Sequence, residues 1–238
     1  MKLQVFFLLF VMWGSFAQCA KPGVASPDKW PRFRGPDGTG KATTESIPSS
    51  WTTEDWTWQA DIPGVGHSSP VIWNKKIYLT SADEESKIRH LFCHDLHTGK
   101  LVWSRDFPGD VERHHKQNSS ASSTVTADSH GIYWLWGTSQ NVRLEALTHD
   151  GTSRWSVDLG PYIGQHGFGG SPVVWENVVI VPLEQNTEGT IVGIDASTGT
   201  VRWKLPRDGA EKAAYSTPLV LADADNEPQV ICTSKAHG

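Results

Sequence analysis

The sequence predicts an all-β chain, a β-propeller of four-stranded antiparallel blades, and three observations predict it. A glycine is followed four positions later by a tryptophan at Gly99 and Trp103, at Gly151 and Trp155, and at Gly199 and Trp203. These glycines lie 52 and 48 residues apart, at 99, 151 and 199, and a period near fifty with several short strands per unit is the pattern of propeller blades. Between them, apolar residues alternate in short runs bounded by turn formers, as half-buried strands do.

The first element reads as an export signal over residues 1–17, with cleavage as late as residue 20. Lys2 supplies the positive end, Val5 to Trp13 the apolar run, and Ser15-Phe16-Ala17 the small-x-small cleavage site. That apolar run is too short to span a bilayer, which takes roughly 20 residues. Cys19 raises a lipoprotein alternative, and Gln18 before it is not the small residue that lipid-modified cysteines usually follow. The expected address is periplasmic or secreted, with no transmembrane segment in the mature chain.

Residues 18–51 form a Pro/Gly-rich lead-in. Within it Trp30-Pro31-Arg32-Phe33-Arg34-Gly35-Pro36-Asp37-Gly38 mixes aromatic anchors with turn formers and predicts an ordered arm laid over another part of the chain. Residues 52–238 hold the repeats. Trp56 to Asp61 alternates like a strand and stops at Pro63-Gly64. The blades are expected at about 68–107, 122–159 and 170–206, with a partial fourth at 216–238. Each turn glycine fits a hairpin position that needs φ > 0, and the small residues Cys93, Ala146 and Gly193 occupy a matched strand position before it. Trp103, Trp155 and Trp203 are then blade architecture, packed between sheets.

Composition excludes some function classes. A hydrophobic fraction of 38% over 238 residues supports a packed core, and a net charge of -5 without long runs of one sign gives no nucleic-acid-binding surface. With cleavage as late as residue 20, Cys93 and Cys232 remain in the mature chain. Either they pair in an oxidising compartment or they are two buried apolar thiols, the reading favoured by ordinary cysteine usage.

The run Asp195 to Trp203, with Asp95 to Trp103 beside it, resembles the tryptophan-docking repeat of the quinoprotein alcohol dehydrogenase superfamily. More narrowly, with Trp30 to Pro36 and Gln165 to Pro172, the chain is similar to exported PQQ-like β-propeller repeat proteins of the planctomycete type. The resemblance implies a ring of about eight blades, of which about three and a half are present here. A truncated part of a larger ring is the expectation, with open strand edges at Trp56–Asp61 and Gln229–Thr233 through which self-association would run. The resemblance also implies two activities, a binding or scaffold role of the BamB type and a PQQ-dependent alcohol or sugar dehydrogenase with calcium. Members of the second kind often carry adjacent cysteines against the cofactor, and none occur here.

Function on such a scaffold is expected where the segments leading into each innermost strand converge. They run from Gly64 to Ser69, His115 to Ser123, Gly164 to Ser171 and Ala213 to Thr217. Two readings stand. The Ser and Thr hydroxyls satisfy backbone groups at strand starts and the histidines close tight turns; or His67, Asn118, His166 and Tyr215 project toward the axis and bind a polar small molecule or a protein partner. No catalytic residue is assigned and no metal site is expected. His90, His94 and His97 have a metal-like spacing, but four residues of strand span about 13 Å, too far to share one ion. Gly64-Val65-Gly66 and Gly167-Phe168-Gly169-Gly170 precede strands and lack the helix that phosphate loops need. Asp223, Asp225 and Glu227 lack the glycine of a calcium loop and read as a turn, and neither G-x-S-x-G nor H-E-x-x-H is present.

Overall fold

Short alternating strands must find antiparallel partners to satisfy their backbone, and here each finds the next strand in sequence. The computed structural model describes residues 29–42, 48–111, 114–138, 140–207, 212–223 and 226–234; the export signal lies outside the described residues. The first blade is β2 (Val71–Trp73), β3 (Lys76–Asp83), β4 (Ile88–Asp95) and β5 (Leu101–Pro108), with β1 (Lys29–Trp30) added inside β2. The second is β6 (Thr126–Asp128), β7 (Gly131–Gly137), β8 (Val142–Leu147) and β9 (Ser153–Asp158). The third is β10 (Val173–Trp175), β11 (Val178–Leu183), β12 (Gly189–Asp195) and β13 (Val201–Arg207). A two-stranded sheet follows, β14 (Leu219–Asp223) with β15 (Asn226–Ile231).

The period of two explains how these sheets stack. Along β7, Ile132, Trp134 and Trp136 pack with Val71, Tyr78 and Leu91 of the first blade, whereas Tyr133 and Leu135 pack with Val179, Val181, Val192 and Ile194 of the third. Both faces of β7 are covered, so its first six residues are all buried. The third blade repeats the device, turning Ile180 and Ile191 toward Val220 of the fourth sheet and Cys232 just after it. The last strand of each blade is the outermost and stays mostly exposed in β5 and β13.

The register carries a repeated irregularity. Cys93 faces Trp103, Ala146 faces Trp155 and Gly193 faces Trp203, and in each blade the ladder shifts immediately after the small residue. A bulge of this kind bends and re-aims the strand. Cys93 and Cys232 are not bonded to each other; both thiols are buried, and burial pushes each up to about 11.

One expected strand is absent. Residues 56–61 form no strand; a single 3-10 turn, Thr53–Asp55, precedes them, closed by a capping box between Thr52 and Asp55. The alternation is real, but a strand needs a hydrogen-bonded neighbour, and among the described residues none lies beside this stretch. Trp58 nevertheless does there what the later tryptophans do: its Nε1 donates to Leu96 O at 2.9 Å and its ring covers Gly99.

Candidate functional site

Successive strands reverse direction, so the segments leading into β2, β6, β10 and β14 share one face, called the upper face here, with the β3–β4, β7–β8 and β11–β12 connections. The bridge between Val65 and Ala82 ties the two kinds of segment together. The glycine turns lie on the opposite, lower face. There Asp95 Oδ1 accepts from the backbone of His97 and Thr98 at 3.1 and 2.8 Å, and Asp195 Oδ1 accepts from Ser197 and Thr198 at 2.8 and 3.0 Å. These bonds hold both carboxyls below the usual carboxylate range, with side-chain bonds from Thr98 and from Ser197 and Arg202 respectively as the largest causes.

On the upper face, neighbouring lead segments are laced together. His67 N–H and Ser68 N–H donate to Ala121 O. Ser69 N–H donates to Thr124 Oγ1 at 3.0 Å, and Thr124 N–H donates in turn to Ser171 Oγ at 3.0 Å. Asn118 Nδ2 donates to His166 O at 2.7 Å, while its Oδ1 accepts from Ser119 N–H and from the Ser122 hydroxyl. Hydroxyls at these strand starts thus satisfy backbone groups from one blade to the next.

The four predicted ligand-face residues divide accordingly. Asn118 is half-buried and spent on these bonds. His166 is half-buried, and its ring meets His115 edge-on at 5.3 Å. Tyr215 is 37% exposed and stands across Gly169 from Ser122. His67 is exposed and joins the row through its backbone. Asn118, His166 and Tyr215 are therefore gathered over one patch, with His67 at its margin. A second concavity, a cleft of about 400 Å³, opens at the seam of the first and second blades between Phe107, Asp110, Trp136, Gln140, Arg143 and Glu145.

Sequence reasoning missed the residue that anchors this face. Arg89, the second residue of β4, is 1% exposed, and its guanidinium donates to Ser120 O, Gly109 O, Asp110 O and Gly137 O at 3.0 to 3.1 Å. It also sits 5.1 Å from the centre of the Trp136 ring. Its place two and four residues before the buried Leu91 and Cys93, on the same face of the strand, was the available signal. The lower face has a comparable link in His149, whose Nε2 meets Asp128 O at 2.7 Å and whose Nδ1 meets Tyr78 Oη at 2.8 Å. Burial holds its pKa below the usual histidine value.

No group of three or more His, Cys, Asp or Glu able to hold a metal ion occurs among the described residues. His90 bonds Asp106 Oδ1 and His94 bonds Gly99 O, each at 2.8 Å. No helix of the described residues is long and apolar enough to cross a membrane, which says nothing of β-barrels.

A family model described as outer membrane protein assembly factor BamB matches residues 139–231. The chain is 30% identical over 175 residues to quinoprotein alcohol dehydrogenase PedE of Pseudomonas putida, a match covering 68% of this chain and 27% of the relative. It is also 30% identical over 175 residues to a quinoprotein ethanol dehydrogenase of Pseudomonas putida, with the same coverage. A solved quinohemoprotein alcohol dehydrogenase of Pseudomonas putida superposes with a TM-score of 0.48 at 16% identity, over 68% of this chain and 30% of that one. The chain spans 27% of the length of the curated relatives it matches.

Proposed function

We propose that this chain, which belongs to the PQQ-like β-propeller superfamily, is an exported binding or scaffold module that holds a polar small molecule or a protein partner on its upper face. The observation that carries the reading is the gathering of Asn118, His166 and Tyr215, with His115, over lead segments bonded blade to blade. A rigid scaffold that converges polar loops at one patch is where binding sites are usually built. Export rests on residues 1–17 alone, and N-terminal sequencing of the mature protein tests it.

A thermal-shift screen of polar metabolites and short peptides tests the binding role. The expected ligand raises the melting temperature of the wild type, and the shift disappears in His166→Ala and Tyr215→Ala, whose melting without ligand stays near wild type. A shift retained in both variants would put the binding surface elsewhere.

The second reading, part of a PQQ-dependent alcohol dehydrogenase, is favoured by the likeness to quinoprotein alcohol dehydrogenases. A quinone tricarboxylate with calcium calls for free cationic groups beside a cluster of oxygen ligands. The described residues do not fit it: no such acidic cluster is present among them, and the buried guanidiniums Arg32 and Arg89 already bond backbone carbonyls. No catalytic step is derived through that group. A spectral change on adding PQQ and calcium, with dye-linked alcohol oxidation, would revive this reading.

A further inference from the structure

The arm Lys29–Gly38 runs along the inner strands of three blades. Lys29 and Trp30 pair antiparallel with Trp73 and Ile72 of β2, and Lys29 Nζ lies 4.4 Å from the centre of the Trp73 ring. Pro31 O then accepts from Ala127 N–H at 2.8 Å and from Thr126 Oγ1 at 3.4 Å, both in β6. Arg32 reaches the fourth sheet, donating to Pro218 O at 3.4 Å, and Gly38 lies against Leu219 of β14. In seven residues the chain passes from Arg32 to Gly38 while touching the start of β14 at both ends. β-Strand addition followed by side-chain anchoring is how sheets bind extended peptides.

The arm is also shaped before it docks. Trp30 folds over Gly35, which has φ +81° and no room for a Cβ, since one would stand 2.8 Å from the indole. Gly35 N–H returns to Arg32 O at 3.0 Å and Gly40 N–H to Arg34 O at 2.8 Å. Arg32 is 7% exposed and also donates to Pro36 O at 3.2 Å, and desolvation lowers its pKa from the ordinary arginine value. Phe33 and Arg34 face out and are exposed. A preformed loop with one buried cation and one folded-back indole is a ligand in form, covalently tethered to its own receptor.

We propose that the inner face made by β2, β6 and the start of β14 is a binding surface for a polypeptide of Trp-Pro-Arg type that adds as a short strand and then turns, occupied in cis by Lys29–Gly38, and that a quinone does not take this position. The inference is independent of the upper-face reading, because it uses none of the same side chains.

The test uses the full chain with a protease site placed between Ala42 and Pro48, folded intact and then cleaved. The arm is expected to co-elute with the blades in size exclusion and to exchange with an excess of labelled synthetic peptide covering residues 29–42. A peptide carrying Arg32→Ala should compete at least tenfold more weakly, and this comparison needs no protein variant to fold. PQQ with calcium should leave the arm in place. Loss of the arm on cleavage, no exchange with the wild-type peptide over a day, equal competition by the Arg32→Ala peptide, or release of the arm by PQQ and calcium would each overturn the proposal.

Discussion

Trp103 donates its Nε1–H to His149 O at 3.1 Å while its ring covers Gly151, where an added Cβ would stand 2.9 Å from Trp103 Cδ2. The same relation joins Trp155 to Ala196 O at 3.1 Å and to Gly199, and joins Trp58 to Leu96 O and Gly99. Each indole therefore fixes the turn of the following blade by one hydrogen bond and one face that tolerates no side chain.

Gly151→Ala should be costlier than Gly160→Ala. Both glycines have positive φ, at +85° and +86°, but nothing stands within 4 Å of a Cβ at Gly160. The left-handed conformation alone costs an alanine about 1–2 kcal/mol, so Gly160→Ala should lose about that much. Gly151→Ala should lose at least about 1 kcal/mol more through overpacking against Trp103. Urea unfolding followed by tryptophan fluorescence measures the difference, and equal losses would remove the docking argument.

Arg89→Lys should destabilise the chain by about 3 kcal/mol despite keeping the charge. An ammonium lacks the planar fork, so several of the four buried carbonyls lose their donor. Hydrogen exchange should rise first in the stretch Gly109–Ala121, before β3 and β4 respond. Uniform exchange across the first blade would instead mean a general loss of the core.

Stability should fall on acidification through two sets of groups. The turn carboxylates Asp95, Asp150 and Asp195 have folded pKa values held below the unfolded ones by bonds from hydroxyls, guanidinium and backbone N–H. Their contribution is present above the unfolded value, near 4, and is lost as pH falls through the folded one. His149, buried neutral and likewise depressed, contributes above about 6.5 and loses that contribution as pH falls through its folded pKa. The urea midpoint should drop from pH 7 to pH 5, and His149→Gln should flatten that part of the profile.

The two thiols should respond to pH in the sense opposite to the carboxylates and His149. Cys93 and Cys232 titrate at about 11 when folded, above the free-thiol value of about 8.5. The raised values add stability that is complete below the unfolded pKa and is lost as pH rises toward 11. At pH 8 both should resist iodoacetamide in the native protein and react on unfolding, a gain of two alkylations by mass over the native protein. Protection that persists in denaturant without reductant would mean a disulfide.

Self-association should follow the outer edge of β15. It pairs with β14 on one side, no described strand pairs on the other, and Val230 and Ile231 are exposed. Sedimentation should show concentration-dependent association that Val230→Lys suppresses, since a lysine on an edge strand blocks pairing. An unchanged profile would direct attention to another surface.

The blades were legible because their information is local and repeated: the Gly-x-x-x-Trp spacing, the alternation, and the small residue opposite each tryptophan all recur within one period. Residues 56–61 misled because alternation states a preference, whereas a strand exists only beside a partner. Arg89 was hidden because its four acceptors come from three segments distant in sequence, and no pattern around position 89 names them. The arm was legible as ordered, from its indole and its turn formers, but not its path across β2, β6 and β14. His67, Asn118, His166 and Tyr215 were legible as members of converging segments; that Asn118 is consumed by neighbouring backbone could be seen only in three dimensions.

The turn-docking contacts of Trp58, Trp103 and Trp155 point one way. Trp58, Trp103 and Trp155 each precede the glycine they cover, so on a ribosome every docking surface is synthesised before the turn that will settle on it. A new unit can thus be captured as it emerges, with no wait for a later segment. The same one-way grammar means that copying a whole unit within a gene leaves each indole facing a proper turn, a mode of growth by duplication that a reciprocal interface would resist.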